Sequence, residues 1–133
     1  MSGETNLKSL LRTMSPKLND GDYVFCTITS LNDINTESII SLFKEDEGWT
    51  VIIDKKLADE LGLSYSYIAA WITLTIHSSL EAVGLTAAFS NALAAEGISC
   101  NVVAAYYHDH IFVAKQDAEN AISVLKKLAL DSH

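Results

Sequence analysis

The chain has 133 residues, 49% of them apolar, with nine Lys and Arg against seventeen Asp and Glu for a formal charge of −8. That length suits one compact domain or two very small ones sharing a core. An acidic surface repels phosphate backbones and anionic lipids, which argues against nucleic-acid and membrane partners.

Cys26 and Cys100 lie in different apolar runs without C-x-x-C or C-x-x-x-H spacing, so they predict buried thiols rather than a disulfide or zinc framework. The opening MSGETNLKSLLRTMSP carries no basic stretch followed by a long apolar block. The longest apolar run, YIAAWITLTI at 67–76, is half of the roughly 20 residues a membrane span requires. The expected location is cytoplasmic.

In chain order, YVFCTITSL (23–31) and GWTVIIDK (48–55) are rich in β-branched and aromatic residues and bounded by Gly, Asp and Asn, which predicts strands. Between them NTESIISLFKEDE (35–47) offers Asn35 or Thr36 as an N-cap before Ile39, Ile40 and Phe43, a short helix running into a strand. The acidic run Glu45, Asp46 and Glu47 before Gly48 reads as a solvated hairpin tip. KKLADELGL places Leu57 and Leu61 four apart and ends at Gly62, where a helix closes in the left-handed conformation.

YSYIAAWITLTI (65–76) is too apolar for a surface strand and predicts a central one. GLTAAFSNALAAEGI follows, with Leu85, Phe89 and Leu93 on one helical face and Gly97 as its stop. SCNVVAAYY and HIFVAK predict two strands joined by a tight turn of about two residues at His108 and Asp109. A last helix, QDAENAISVLKKLAL, aligns Ala118, Ile122, Leu125 and Leu128, with Lys126 and Lys127 near its negative end. GLSYSYIAAW from Gly62 and GISCNVVAAY from Gly97 form a faint repeat at an offset of 35 residues, about half of a βαββαβ unit. Two such units account for the chain.

The stretches LLRTMSPKL and GDYVF, LFKEDEGWTVIID, and above all AVGLTAAFSNALAAEGISCNVVAAYYHDHIFV together resemble the small tandem ACT-domain proteins of bacteria. These are relatives of the ACT modules in the cytosolic arginine sensor of animals and in aspartate kinases. The resemblance spans nearly the whole chain. It implies an α+β fold of two tandem ferredoxin-like, ACT-type units, 1–65 and 66–133, that pair into a homodimer or higher homo-oligomer and bind an amino acid at an interface without catalysis or cofactor. Carried over residue by residue, the ligand loop falls on Val83, Gly84, Leu85 and Thr86, and the opposing strand on Ala105, Tyr106 and Asp109. After the terminal helix only DSH remains, so the second unit's fourth strand is either borrowed or missing.

The residues support part of this independently. A helix beginning at about Leu85 after Gly84 presents unpaired amides and partial positive charge to a carboxylate, although a glycine in an ordinary turn explains the same pattern. Asp109 fits a hairpin tip and equally a carboxylate placed to hold a cation. His108 and His110 point to one side of a strand, yet two ligands make a weak metal site, and packing or turn capping is the alternative. His77 is expected at a strand end, beside the same loop.

Ser78 or Ser79 with His108 and Asp109 could suggest a hydrolase, but no G-x-S-x-G elbow is present and adjacent His and Asp cannot orient one another as a triad requires. Tyr65, Tyr67, Trp71, Tyr106 and Tyr107 read first as sheet core, with one or two free to stack on a ligand. Two other readings remain: an assembly module with a vestigial pocket, and a small metal-dependent enzyme.

Overall fold

The structure, a computed structural model, describes residues 6–76 and 83–133. Along the chain run α1 (Leu7–Thr13), β1 (Ser15–Leu18), β2 (Tyr23–Ile28), β3 (Ser41–Glu45), β4 (Gly48–Asp54), α2 (Lys55–Leu61), β5 (Ile68–Thr75), α3 (Leu85–Ala95), β6 (Asn101–Ala104), β7 (Asp109–Ala114) and α4 (Ala118–Asp131). By packing they form two compact units, one of Asp20–Ala69 and one that joins the residues up to Asn19 with Ala70–His133. This division departs from a linear one at 65/66 chiefly in where residues 6–19 belong.

In the unit Asp20–Ala69 the strand order is β3-β4-β2 followed by the start of β5, all antiparallel. β2 and β4 pair from Tyr23↔Asp54 to Ile28↔Trp49. Alternation sends Val24, Cys26 and Ile28 to one face, where they meet Ile34, Val51, Ile53 and Ala58. Asp54 caps α2 by accepting from the Lys56 amide at 2.8 Å. Gly62 closes that helix at φ +69, as its place in the sequence predicts.

The helix expected within 35–47 is reduced to a single 3-10 turn at Thr36–Ser38, which follows another at Leu31–Asp33. Asn35 turns its side chain onto the Glu37 amide, a local bond that competes with helix propagation. From Ser41 the chain pairs with β4 instead, and the β3–β4 ladder overrides helical spacing. Glu45 pairs with Gly48, leaving Asp46 and Glu47 exposed at the hairpin tip.

In the second unit the order is β1-β5-β7-β6. Read from Ala70, it runs strand, helix, strand, strand, helix, and its fourth strand is β1, paired antiparallel from Ser15↔Thr75 to Leu18↔Ile72. The absent last strand is thus borrowed from the chain's own N-terminal segment. β1 lies at the edge, the place where Pro16 and its missing N–H are tolerated.

α1 precedes β1. Asn6 accepts from the Ser9 amide at 3.0 Å to start it, and Leu10, Leu11 and Met14 enter the core. There they join Ile72, Leu74, Phe89, Leu93, Ile111, Val113 and Leu125 from β5, α3, β7 and α4. The buried stripe of α4 is Ala118, Ala121, Leu125 and Ala129. Ile122 and Leu128, expected on that stripe, are its partly buried margins.

Candidate functional site

The first segment of interest begins where α3 begins. Val83 is 84% exposed, and Gly84 occupies the N-cap position at φ +92. A side chain at Gly84 would be strained at that φ, and its Cβ would stand 3.3 Å from Leu7 Cδ2. No side chain caps α3, and its first turn holds no acidic residue. The turn that starts at Leu85 and Thr86 therefore presents amides and the positive end of an 11-residue helix with no carboxylate in that turn itself. Leu85, Phe89 and Leu93 anchor the helix as their spacing predicts, while Thr86 is exposed. His77, Ser78 and Ser79 lie outside the described residues.

The second segment is the β6–β7 hairpin, and here the expected geometry is corrected. The turn spans Ala105–His108 and is closed by the Ala105 amide donating to the His108 carbonyl at 3.1 Å. Asp109 is not at a two-residue tip; it is the first residue of β7 and pairs with Ala104. The connection is wider because the ladder Asn101↔Phe112 to Ala104↔Asp109 follows the buried set Ile111, Phe112 and Val113.

Asp109 is consequently half-buried, and desolvation pushes its carboxyl pKa up. Tyr106 and Tyr107, expected in the sheet core, fall in the turn at 62% and 70% exposure, packed edge to face with centroids 5.0 Å apart. Tyr65 and Tyr67 precede β5 rather than lie within it.

The histidines follow from the same register. The Trp71 indole donates to His110 Nδ1 at 3.0 Å, and the Thr73 hydroxyl lies 3.1 Å from the same nitrogen. His110 Nδ1 is therefore an acceptor, and the neutral ring carries its proton on Nε2. Burial first, and the neighbouring His108 second, lower the His110 pKa. His108 and His110 share one side, with ring centroids 6.4 Å apart. Among the described residues no group of three His, Cys, Asp or Glu side chains could hold a metal ion. Cys26 is buried and Cys100 half-buried; desolvation raises both thiol pKa values.

These contacts also fix direction. Trp71 stacks on Phe112 with centroids 6.2 Å apart, while Thr73 reaches His110. As β5 advances β7 recedes, so the adjacent strands are antiparallel and the end of β5 lies beside the start of β7. The end of β5 and the hairpin carrying Ala105, Tyr106 and Asp109 thus share one end of the sheet. The burial of Asp109 was not legible from its place beside a turn; the register of Ile111 to Val113 was the available signal.

Two ACT-domain family models match the sequence, over residues 2–70 and 66–127. The chain belongs to the ACT-domain family, as a tandem pair. The matches run linearly, whereas packing gives residues 6–19 to the second ACT domain. A Vibrio cholerae protein of unknown function, described as a possible transport protein, is 50% identical over 92% of this chain and 95% of its own, with a TM-score of 0.84.

The regulatory subunit of aspartate kinase from Thermus flavus shares the fold at 9% identity and TM-score 0.58, over 86% of this chain and 96% of its own. E. coli aspartokinase III, solved with aspartate and ADP, does so at 15% identity and TM-score 0.62, over 91% of this chain and 34% of its own. The comparison with curated proteins returned no match. Neither matched family model is a catalytic domain, and among the described residues no helix is long and apolar enough to cross a membrane.

Proposed function

We propose that the second ACT domain binds a free amino acid at the sheet end formed by Val83–Thr86 and Ala105–Asp109, and that the protein is a non-enzymatic, cytoplasmic regulatory module. The observation that carries this reading is the glycine-led start of α3, which has no side-chain cap, and it is supported by the half-buried carboxylate of Asp109 at the start of β7. The ligand carboxylate takes the α3 amides. Its ammonium, or a basic side chain, takes Asp109, whose ionised form gains from any cation that offsets its desolvation. The fold shared with the regulatory subunit of aspartate kinase from Thermus flavus supports a regulatory role.

Thermal shift against the twenty amino acids tests it, since a ligand that binds only the folded state stabilises by about 2.7 kcal/mol at a hundred times its Kd. One amino acid or a chemically related few should raise Tm, and Asp109→Ala should abolish the rise. Flat curves for all twenty would instead favour a pure assembly module.

That second reading has its own support in the exposed Val83, Tyr106 and Tyr107 at the same end, which a second copy of the chain would cover. The two readings are compatible if the copies pair there. Light scattering should return more than the monomer's 14.5 kDa; a monomeric mass at micromolar concentration would remove the interface from the proposal.

A further inference from the structure

The sheet of the second domain, β1-β5-β7-β6, buries Ile72, Leu74, Ile111 and Val113 against its helices on one face. Alternation and register place Trp71 and Thr73 of β5, His110 and Phe112 of β7 and Lys17 of β1 on the other. There the hydrogen bonds converge on one nitrogen. The Trp71 indole donates to His110 Nδ1 and Thr73 Oγ1 lies beside the same atom, while Asn19 Nδ2 donates to Thr73 Oγ1 at 2.9 Å. Thr73 is 8% exposed, so its oxygen is held inside this set.

A neutral imidazole nitrogen that carries no proton has one lone pair, and the indole N–H occupies it. Thr73 Oγ1 has two, of which Asn19 takes one. A proton added at His110 Nδ1 therefore sets a donor against the Trp71 donor, and at the same time supplies a donor for the Thr73 oxygen 3.1 Å away. The two protonation states want different partners.

The charges on this face do not favour the added proton. The His108 ring lies 6.4 Å from that of His110 between centroids, and exposed Lys17, paired with Thr73, is cationic. β6 sets Val103 opposite His110, and Asp109 alternates to the far face with Ile111 and Val113. Among the described residues of these strands no carboxylate shares the face with His110. What the imidazolium gains is the Thr73 oxygen, and what it loses is the indole.

We infer that Asn19, Trp71, Thr73 and His110 form a proton-operated switch: neutral His110 holds the Trp71 indole, and His110 protonated from solvent releases it and donates to Thr73 instead. The indole N–H, on a ring stacked against Phe112, then turns to another acceptor, so this face of the sheet offers a donor that it withholds at higher pH. The device does not depend on amino-acid binding by the same domain.

The test is a pH titration of the full chain by nuclear magnetic resonance, following the Trp71 indole N–H and the His110 ring nitrogens together. The chain has two tryptophans, and Trp49→Phe tells their signals apart. At neutral pH His110 Nδ1 should carry the shift of an unprotonated acceptor. The Trp71 signal should then move with the His110 midpoint, below the ordinary value of about 6.5. Trp71→Phe removes the donor that favours the neutral ring and should raise that midpoint by about half to one pH unit. Thr73→Val removes the acceptor that favours the charged ring and should lower it by a similar amount. A purely structural role would not move the two variants in opposite directions. A Trp71 signal that ignores the His110 titration, a proton on Nδ1 of the neutral ring, or midpoints that shift the same way in both variants would each overturn the switch. The first two readouts need only the wild-type chain, and decide the matter if a substitution disturbs the sheet.

Discussion

The two ACT domains carry the same strand order, but the start of the first helix differs between them. In Asp20–Ala69 that helix has shrunk to two 3-10 turns, each closed by its own side chain: Ser30 accepts from the Asn32 amide and Asn35 from the Glu37 amide, both at 3.1 Å. In the second domain the corresponding helix is 11 residues long and starts from Gly84 with no side-chain cap. A turn that satisfies its own amides has none to offer an anion; a glycine-led one keeps them for a ligand. One fold thus holds a helix start without a side-chain cap in one domain and side-chain-capped turns in the other.

The largest expected effect concerns which residues make up the second domain. Leu10 is 1% exposed within its core, so Leu10→Ala should cost about 2–5 kcal/mol. Hydrogen exchange should then speed up in β5, β7 and α4 and stay slow in β2 and β4. Uniform acceleration in both domains would remove the separate treatment of the two cores.

Much of this contrast was legible from the residues, and the exceptions have physical reasons. α3 and α2 follow from apolar spacing and terminal glycines, and β2 and β4 from β-branched runs. α1 and β1 were not expected. Asn6 with Leu7, Leu10 and Leu11 was a usable helix signal, but β1 is a four-residue edge strand, mostly exposed and containing Pro16, with no alternation to read. Its pairing with Ile72–Thr75 is a long-range fact. Asp109 was expected at the hairpin tip and instead opens β7, because one shift of hairpin register decides between a solvated tip and a half-buried strand position.

Smaller perturbations separate backbone need from ligand need. Gly84→Ala and Gly62→Ala both place a side chain at positive φ, at a cost of about 1–2 kcal/mol each. Only at Gly84 does the new Cβ meet a neighbour, Leu7 at 3.3 Å, so chemical denaturation should find Gly84→Ala the more costly. Equal costs would mean that Leu7 yields freely.

Thr86→Asp should move stability and binding in opposite directions. A carboxylate in the first turn of α3 stabilises the helix by about 0.3–1 kcal/mol while occupying the field that the proposed site gives to the ligand's carboxylate. A higher Tm together with weaker amino-acid binding is expected; unchanged binding would detach the ligand from the helix end.

The pH response should be modest. Because the folded His110 pKa lies below its ordinary value, the unfolded chain binds the extra proton first as pH falls below about 6.5. This group's contribution is present above that pH and is lost as pH falls toward its depressed folded value. Asp109 acts in a lower window: its raised pKa makes the folded chain hold the proton longer, so its ionisation costs stability as pH rises through that value. His110→Gln should flatten the fall of Tm between pH 7 and 5.5, and an unaltered slope would assign that fall to other groups.

Calorimetric titration of the best amino acid from the thermal screen into the wild-type chain, Asp109→Ala and His108→Ala decides the site most directly. Loss of a charge-assisted bond of about 1.5–3 kcal/mol should weaken binding roughly 10- to 150-fold in Asp109→Ala, with His108→Ala costing much less. Equal losses in the two variants, or a larger loss at His108, would contradict a site built on the α3 amides and the Asp109 carboxylate.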